Sequence, residues 1–209
     1  MGIKEGGLEK SNMKELPIIE LERIVLRPFE LSDAKSVQEL AGDRSIAEMT
    51  LNIPHPYEDG IAEKWIKTHL KVLNENHIYT LAVTHREENY LIGSITLSIY
   101  EFDRAEIGYW VGKKYWNNGY CTEATLGLIR FGFEELNLNR IYGFHLAKNP
   151  ASGKVMQKTG MKYEGLLRQH IKKWGEYEDL CCYGILREEF MDLLKEIRMF
   201  YRIVDYGRY

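Results

Sequence analysis

The order of predicted elements points to an α+β fold, a mixed α/β architecture with a mixed sheet and helices on its faces. Three observations carry this. One strand-like run near the start is followed by two helix-like segments. Three strand-like runs then follow one another with short turns, a meander. After them helix, strand and helix alternate before a final strand pair. Neither a regular βαβ repeat nor an all-β pattern is present.

Residues 1–17 read as a flexible leader, polar and glycine-bearing, that ends at Pro17. "RIVLRPF" (Arg23–Phe29) reads as a strand with Ile24 and Leu26 on one side and Val25 and Arg27 on the other. Ser32 and Asp33 mark a helix start, and Val37, Leu40 and Ala41 follow at helical spacing. "NIPHPY" (Asn52–Tyr57) is a proline-broken loop. Glu58 and Asp59 lead a second helix, where acids suit the positive end.

"IYTLAVTH", "YLIGSITLSIYEF" and "RAEIGYWVG" form the meander. A helix over Thr122–Leu136 is apolar on most sides, so it should be buried. "RIYGFHL" is the next strand. "ASGKVMQKTG" is a short helix closed by Gly160, a plausible residue for a left-handed cap. "MKYEGLLRQHIKK" and "YEDLCCYGIL" pair around "WGE", and a helix begins near Arg187. The folded domain should span residues 18–192, with a helical extension over 193–209.

The composition narrows the function. The chain has 209 residues, 44% hydrophobic and 28% charged, with a formal net charge of −3. That suits one soluble domain with a full core and gives no basic surface for direct nucleic-acid binding. The three cysteines form no CxxC pair and the six histidines no HExxH, so no metal site is expected. No apolar run reaches the ~18 residues of a membrane helix. The start lacks a signal-peptide core, so a cytoplasmic protein with no membrane partner is expected.

The stretch "YWNNGYCTEA" (Tyr115–Ala124) joins a strand to a helix. A glycine-containing turn there presents free backbone N–H groups at a positive helix end, an arrangement that binds phosphates. The GxxxxGK[ST] and GxGxxG spacings are absent, which argues against nucleoside-triphosphate and dinucleotide sites.

In its setting, "AEIGYWVGKKYWNNGYCTEA", this stretch resembles the signature of the GCN5-related N-acetyltransferase (GNAT) superfamily, within the ribosomal-protein N-terminal acetyltransferase branch. "ERIVLRPFELSDA", "IPHPYEDGIAEKWI" and "NPASGKVMQKTGMKYEG" resemble other segments of that branch in the same order, together covering roughly residues 20–190. Two positions depart from the usual loop: Trp116 stands where Gln or Arg is customary and Cys121 where Gly or Ala is. Gly119 is retained.

The resemblance implies a central, mostly antiparallel mixed sheet with helices on both faces, whose fourth and fifth strands splay around acetyl-CoA. It implies cofactor contacts from the backbone of Tyr109, Trp110 and Val111, pyrophosphate contacts from the amides of Asn117, Asn118, Gly119, Tyr120, Cys121 and Thr122, and no metal. Asn149 would orient the pantetheine arm or cap its helix. Cys121 reads as a small packing residue before a reactive thiol. Glu106 is the first candidate for the base that takes the amine's proton, against a solvated or structurally paired carboxylate; Glu123 reads as a helix-start acid. The tyrosine acid common in the superfamily would fall at Met156 and is missing. Ser152 is the alternative donor to the departing sulfur, or a first-turn residue of its helix.

The acceptor is then a protein N-terminus or a small amine such as a polyamine, aminoglycoside or amino acid. A non-catalytic acyl-CoA sensor and a homodimer are also compatible with the pattern. The acceptor side should be built by the "NIPHPY" region and the final hairpin, where Lys172 and Lys173 would favour acidic acceptors or, as is usual for a lysine pair at a turn, be solvated.

Overall fold

The computed structural model describes residues 15–195. Most of the expected leader and the extension beyond residue 195 lie outside the described residues. A helix begins at residue 187 and is described to residue 195.

An eight-stranded sheet organises the chain. Its strands are β1 (Ile19–Glu20), β2 (Ile24–Arg27), β3 (Ile78–His85), β4 (Leu91–Tyr100), β5 (Arg104–Val111), β6 (Arg140–Leu146), β7 (Lys162–Lys173) and β8 (Glu176–Leu186), in the order β1-β2-β3-β4-β5-β6-β8-β7. The expected meander is β3-β4-β5. Every neighbouring pair is antiparallel except β5 and β6. That parallel pair has three matched positions, ending at Glu106 opposite Tyr142. Beyond it, Ile107–Val111 pair with β4 alone, so the sheet opens between β5 and β6.

Helices cover both faces. On one, α1 (Ala34–Ala41) and α3 (Ile61–Asn76) pack Val37, Leu40 and Ile66 against Ala82, Leu91 and Trp110. On the other, α4 (Tyr120–Glu134) buries Leu128, Ile129 and Phe133 against Leu97, Ala105, Ile107 and Ile141. Alternation along β5 follows from this: Ala105 and Ile107 enter the core under α4, while Glu106, Gly108 and Trp110 face the α1 side.

The short α5 (Pro150–Lys158) ends as its sequence suggests. Gly160 has φ +85°, its N–H bonds Gln157 and the Met161 N–H bonds Met156, the pattern of a left-handed glycine cap.

Three boundaries differ from the sequence reading. A helix α2 (Arg44–Met49), capped by Asp43 onto the Ser45 N–H, precedes the proline-broken loop. The second predicted helix starts at Ile61, because Gly60 at φ +79° turns the chain just before it; Glu58 and Asp59 stay outside. The buried helix α4 starts at Tyr120, two residues earlier than expected, because Gly119 at φ +80° is its N-cap.

Candidate active site

The site is built where β5 leaves β6. A cavity of about 980 Å³ runs through this opening. Its wall includes the α1–α3 region, β4, β5, the start of α4, the end of β6 and α5. That volume lies at the upper end of ordinary small-molecule sites.

One end of the cavity is the turn before α4. Asn117 has φ +63° and Gly119 φ +80°, so the chain twice adopts the left-handed region that Asn and Gly tolerate. No side chain caps α4; its first internal bond is from the Glu123 N–H to the Gly119 carbonyl. The amides of Tyr120, Cys121 and Thr122 therefore have no helical partner and lie at the positive helix end.

Arg23, which the sequence reading missed, fastens this turn. Its guanidinium donates to the Asn118 carbonyl at 2.9 Å and to Glu123 at 2.8 Å, and its own N–H donates to Glu123 at 2.7 Å. Glu123 is thus an ion-pair partner in the first turn of α4. A Cβ on Gly119 would lie 3.2 Å from the Arg23 guanidinium, so a fixed cation stands beside the free amides. The sequence signal for Arg23 is slight, since its partners are about a hundred residues away.

Trp116 explains part of its departure from the usual loop. Its indole N–H donates to the Val111 carbonyl at 2.7 Å and ties the turn to the end of β5. That carbonyl is therefore engaged, and the Trp110 carbonyl is turned toward β4, where a Cβ on Gly93 would meet it, so Tyr109 carries the exposed backbone of the opened edge. Cys121 lies against the core, and burial pushes its thiol up to about 12. The helix end does not activate it; it is a packing residue.

The middle of the cavity holds Tyr109, Asn149 and Ser152. Asn149 caps α5: its Oδ1 accepts the Ser152 N–H at 3.3 Å, and its amide nitrogen donates to the Met49 carbonyl at 3.2 Å. The Tyr109 hydroxyl donates to the Ser152 carbonyl, and the Ser152 hydroxyl donates back to it, each at 3.0 Å. Burial raises the Tyr109 phenol far above its ordinary range, so it stays protonated. In this arrangement the Ser152 proton points at Tyr109.

The far end holds Glu106. It is half-buried and makes no hydrogen bond or ion pair among the described residues. Burial raises its carboxyl above the usual carboxylate range, the direction a base working near neutrality needs. Pro54 and Tyr57 of the "NIPHPY" loop line the cavity. The tip of the β7–β8 hairpin touches that loop, with the Trp174 ring 6.4 Å from the His55 ring. Lys173 is buried, with its ammonium over Trp174 and its pKa lowered by burial, where a solvated side chain was expected.

Among the described residues no group of three or more His, Cys, Asp or Glu is placed to hold a metal. No described helix is long and apolar enough to cross a membrane.

The comparisons agree with this geometry. The acetyltransferase (GNAT) domain model matches residues 23–162. The chain is 32% identical over 173 residues to the uncharacterized N-acetyltransferase YnaD of Bacillus subtilis, covering 82% of this chain and 98% of that one. Over 87 residues, 42% of this chain and 48% of the relative, it is 37% identical to the putative ribosomal N-acetyltransferase YdaF of Bacillus subtilis. The crystal structure of a GNAT-family acetyltransferase from Bacillus anthracis superposes with a TM-score of 0.74 at 29% identity, covering 82% of this chain and 99% of that one. The domain match, the full-length relative and the opened sheet together show that the chain belongs to the GNAT acetyltransferase family and is an N-acetyltransferase.

Proposed function

We propose that acetyl-CoA is the donor and that the acceptor is the N-terminal α-amine of a protein, a ribosomal protein being the leading case. The observation that carries this is the continuity of the cavity. It runs from the uncapped start of α4, past the unpaired edge of β5, to a carboxylate with no partner among the described residues.

The residues fit each part of such a donor. The free amides of Tyr120, Cys121 and Thr122, with Arg23 beside them, suit a pyrophosphate. Asn117, Asn118 and Gly119 shape that turn. The opened edge at Tyr109 and the Val111 N–H suits the amide groups of a pantetheine arm, held against α5 at Asn149; the Trp110 backbone, expected to take part, is turned toward β4 instead.

The acceptor enters from the Glu106 side. An α-amine has a pKa of about 7.7–8.0, so a weak base is enough to keep it neutral. Glu106 takes the proton, and the amine nitrogen attacks the thioester carbon. The new N–C bond forms, the C–S bond breaks, and coenzyme A leaves as a thiolate. Ser152 faces that thiolate once its proton turns away from Tyr109. The local likeness to a putative ribosomal N-acetyltransferase supports the protein acceptor. Such an acceptor places the enzyme in the cytoplasm.

An acetylation screen tests the reading. Ala-, Ser- and Met-started peptides are offered beside spermidine, and coenzyme A release is followed. At least one peptide should be acetylated about tenfold more efficiently than spermidine. Faster turnover of spermidine than of every peptide would assign the enzyme to small amines instead.

A further inference from the structure

β5 carries a glycine in the middle of the sheet, where a side chain is normally needed for packing. Gly108 is exposed, and a Cβ built on it would meet no atom within 4 Å. Its φ lies outside the left-handed region, so the backbone does not call for glycine. The bare patch lies in the cavity wall, between Glu106 and Trp110 on the same face of β5.

The strand register completes a ring around it. Ser98 of β4 lies directly opposite Glu106, Thr96 opposite Gly108 and Ser94 opposite Trp110. The Ser94 hydroxyl is spent on the Leu81 carbonyl. Those of Thr96 and Ser98 bond to no described residue, and both side chains are half-buried and line the cavity. Three oxygen-bearing side chains without partners among the described residues therefore surround one open spot on the sheet.

The geometry points to an amine pocket above Gly108, a site for an unhindered primary ammonium group held by Glu106, Ser98 and Thr96. This rests on the acetyltransferase reading and adds to it the residues that choose the acceptor. A primary ammonium offers three N–H donors, and the pocket offers three acceptors. A secondary amine has one donor fewer, and its extra carbon needs the space that Gly108 leaves free. Glycine here is thus a specificity determinant, and Ser98 and Thr96 are positioning residues for the proton that Glu106 removes.

The test takes the best acceptor from a panel of Ala-, Ser- and Met-started peptides and spermidine, with the N-methyl form of that acceptor. The wild type should use the primary amine at least about tenfold better than its N-methyl form. Gly108→Ala adds one methyl group into open space. It should raise KM for the amine about tenfold, with the calorimetric Kd for acetyl-CoA and the melting temperature unchanged. Ser98→Ala and Thr96→Val should raise KM as well and displace the pH–rate profile, and Ser98→Thr should restore both. An active wild type with an unchanged KM in Gly108→Ala overturns the pocket and leaves the acetyltransferase reading standing. Equal loss of acetyl-CoA affinity in Gly108→Ala also overturns the pocket, because the glycine then serves the donor. A wild type that acetylates no amine of the panel overturns both.

Discussion

Glu106 owes its proposed role to its surroundings. It begins an apolar strand, where a carboxylate is ordinarily solvated, yet it is half-buried with its carboxyl raised. Glu106→Gln keeps size and shape but cannot accept a proton. Its kcat at pH 7 should fall by ~10²-fold, the low end for general-base catalysis. The deficit should shrink as pH rises, because the amine then loses its proton to solvent. A wild-type kcat at neutral pH would reject the role.

His69 shows the opposite use of burial. Its ring is packed at the edges of Phe29 and Trp65, and neither nitrogen has a hydrogen-bonding partner among the described residues. Burial lowers its pKa from 6.5 to about 4. As pH falls below 6.5 the unfolded chain gains a proton here that the folded chain refuses until about pH 4. The folded state therefore loses stability through that window. Melting temperatures measured from pH 7 to pH 4.5 should fall less steeply in His69→Leu than in the wild type. Parallel curves would show that His69 does not contribute.

At the scale of elements, the turn before α4 is the part most exposed to single changes. Gly119→Val puts a β-branched residue at φ +80°, a region such residues avoid, and sets its Cβ against the Arg23 guanidinium. The free amides and the cation beside them should both shift. Acetyl-CoA affinity should weaken at least tenfold, about 1.4 kcal/mol. Calorimetry on a folded variant with wild-type affinity would place the phosphate contacts elsewhere. The turn itself was legible because Asn, Asn and Gly between a strand and a helix have few other uses. Arg23 was not, since nothing near it in sequence is its partner.

At the scale of the whole molecule, the opening between β5 and β6 sets the site. Ile107–Val111 use one side on β4 and leave the other toward the cavity. Saturating acetyl-CoA at about 100 times its Kd should stabilise the fold by about 2.7 kcal/mol. Hydrogen exchange should show protection at 107–111 and 119–122 that exceeds the global gain read from β3, a core strand paired on both sides. Uniform protection across the sheet would mean that the ligand acts by global stabilisation alone.

Elements came from the sequence because their causes are local. Alternation marked β2, short turns between strand-like runs marked β3 to β5, helical spacing marked α1, an almost wholly apolar run marked α4, and Gly160 closed α5. The helix α2 escaped because it is six residues long and its signal is one Asp–Ser cap. The candidate site divides in the same way. Glu106, Ser152 and the Asn-Asn-Gly turn were visible as residue types in a familiar order. Their partners were decided only when the chain packed: Arg23 against Glu123, Tyr109 against Ser152, Ser98 and Thr96 beside Glu106. Propensity reaches a few residues along the chain, whereas strand register and the point where β5 parts from β6 are set by which side chains fill the core across the sheet.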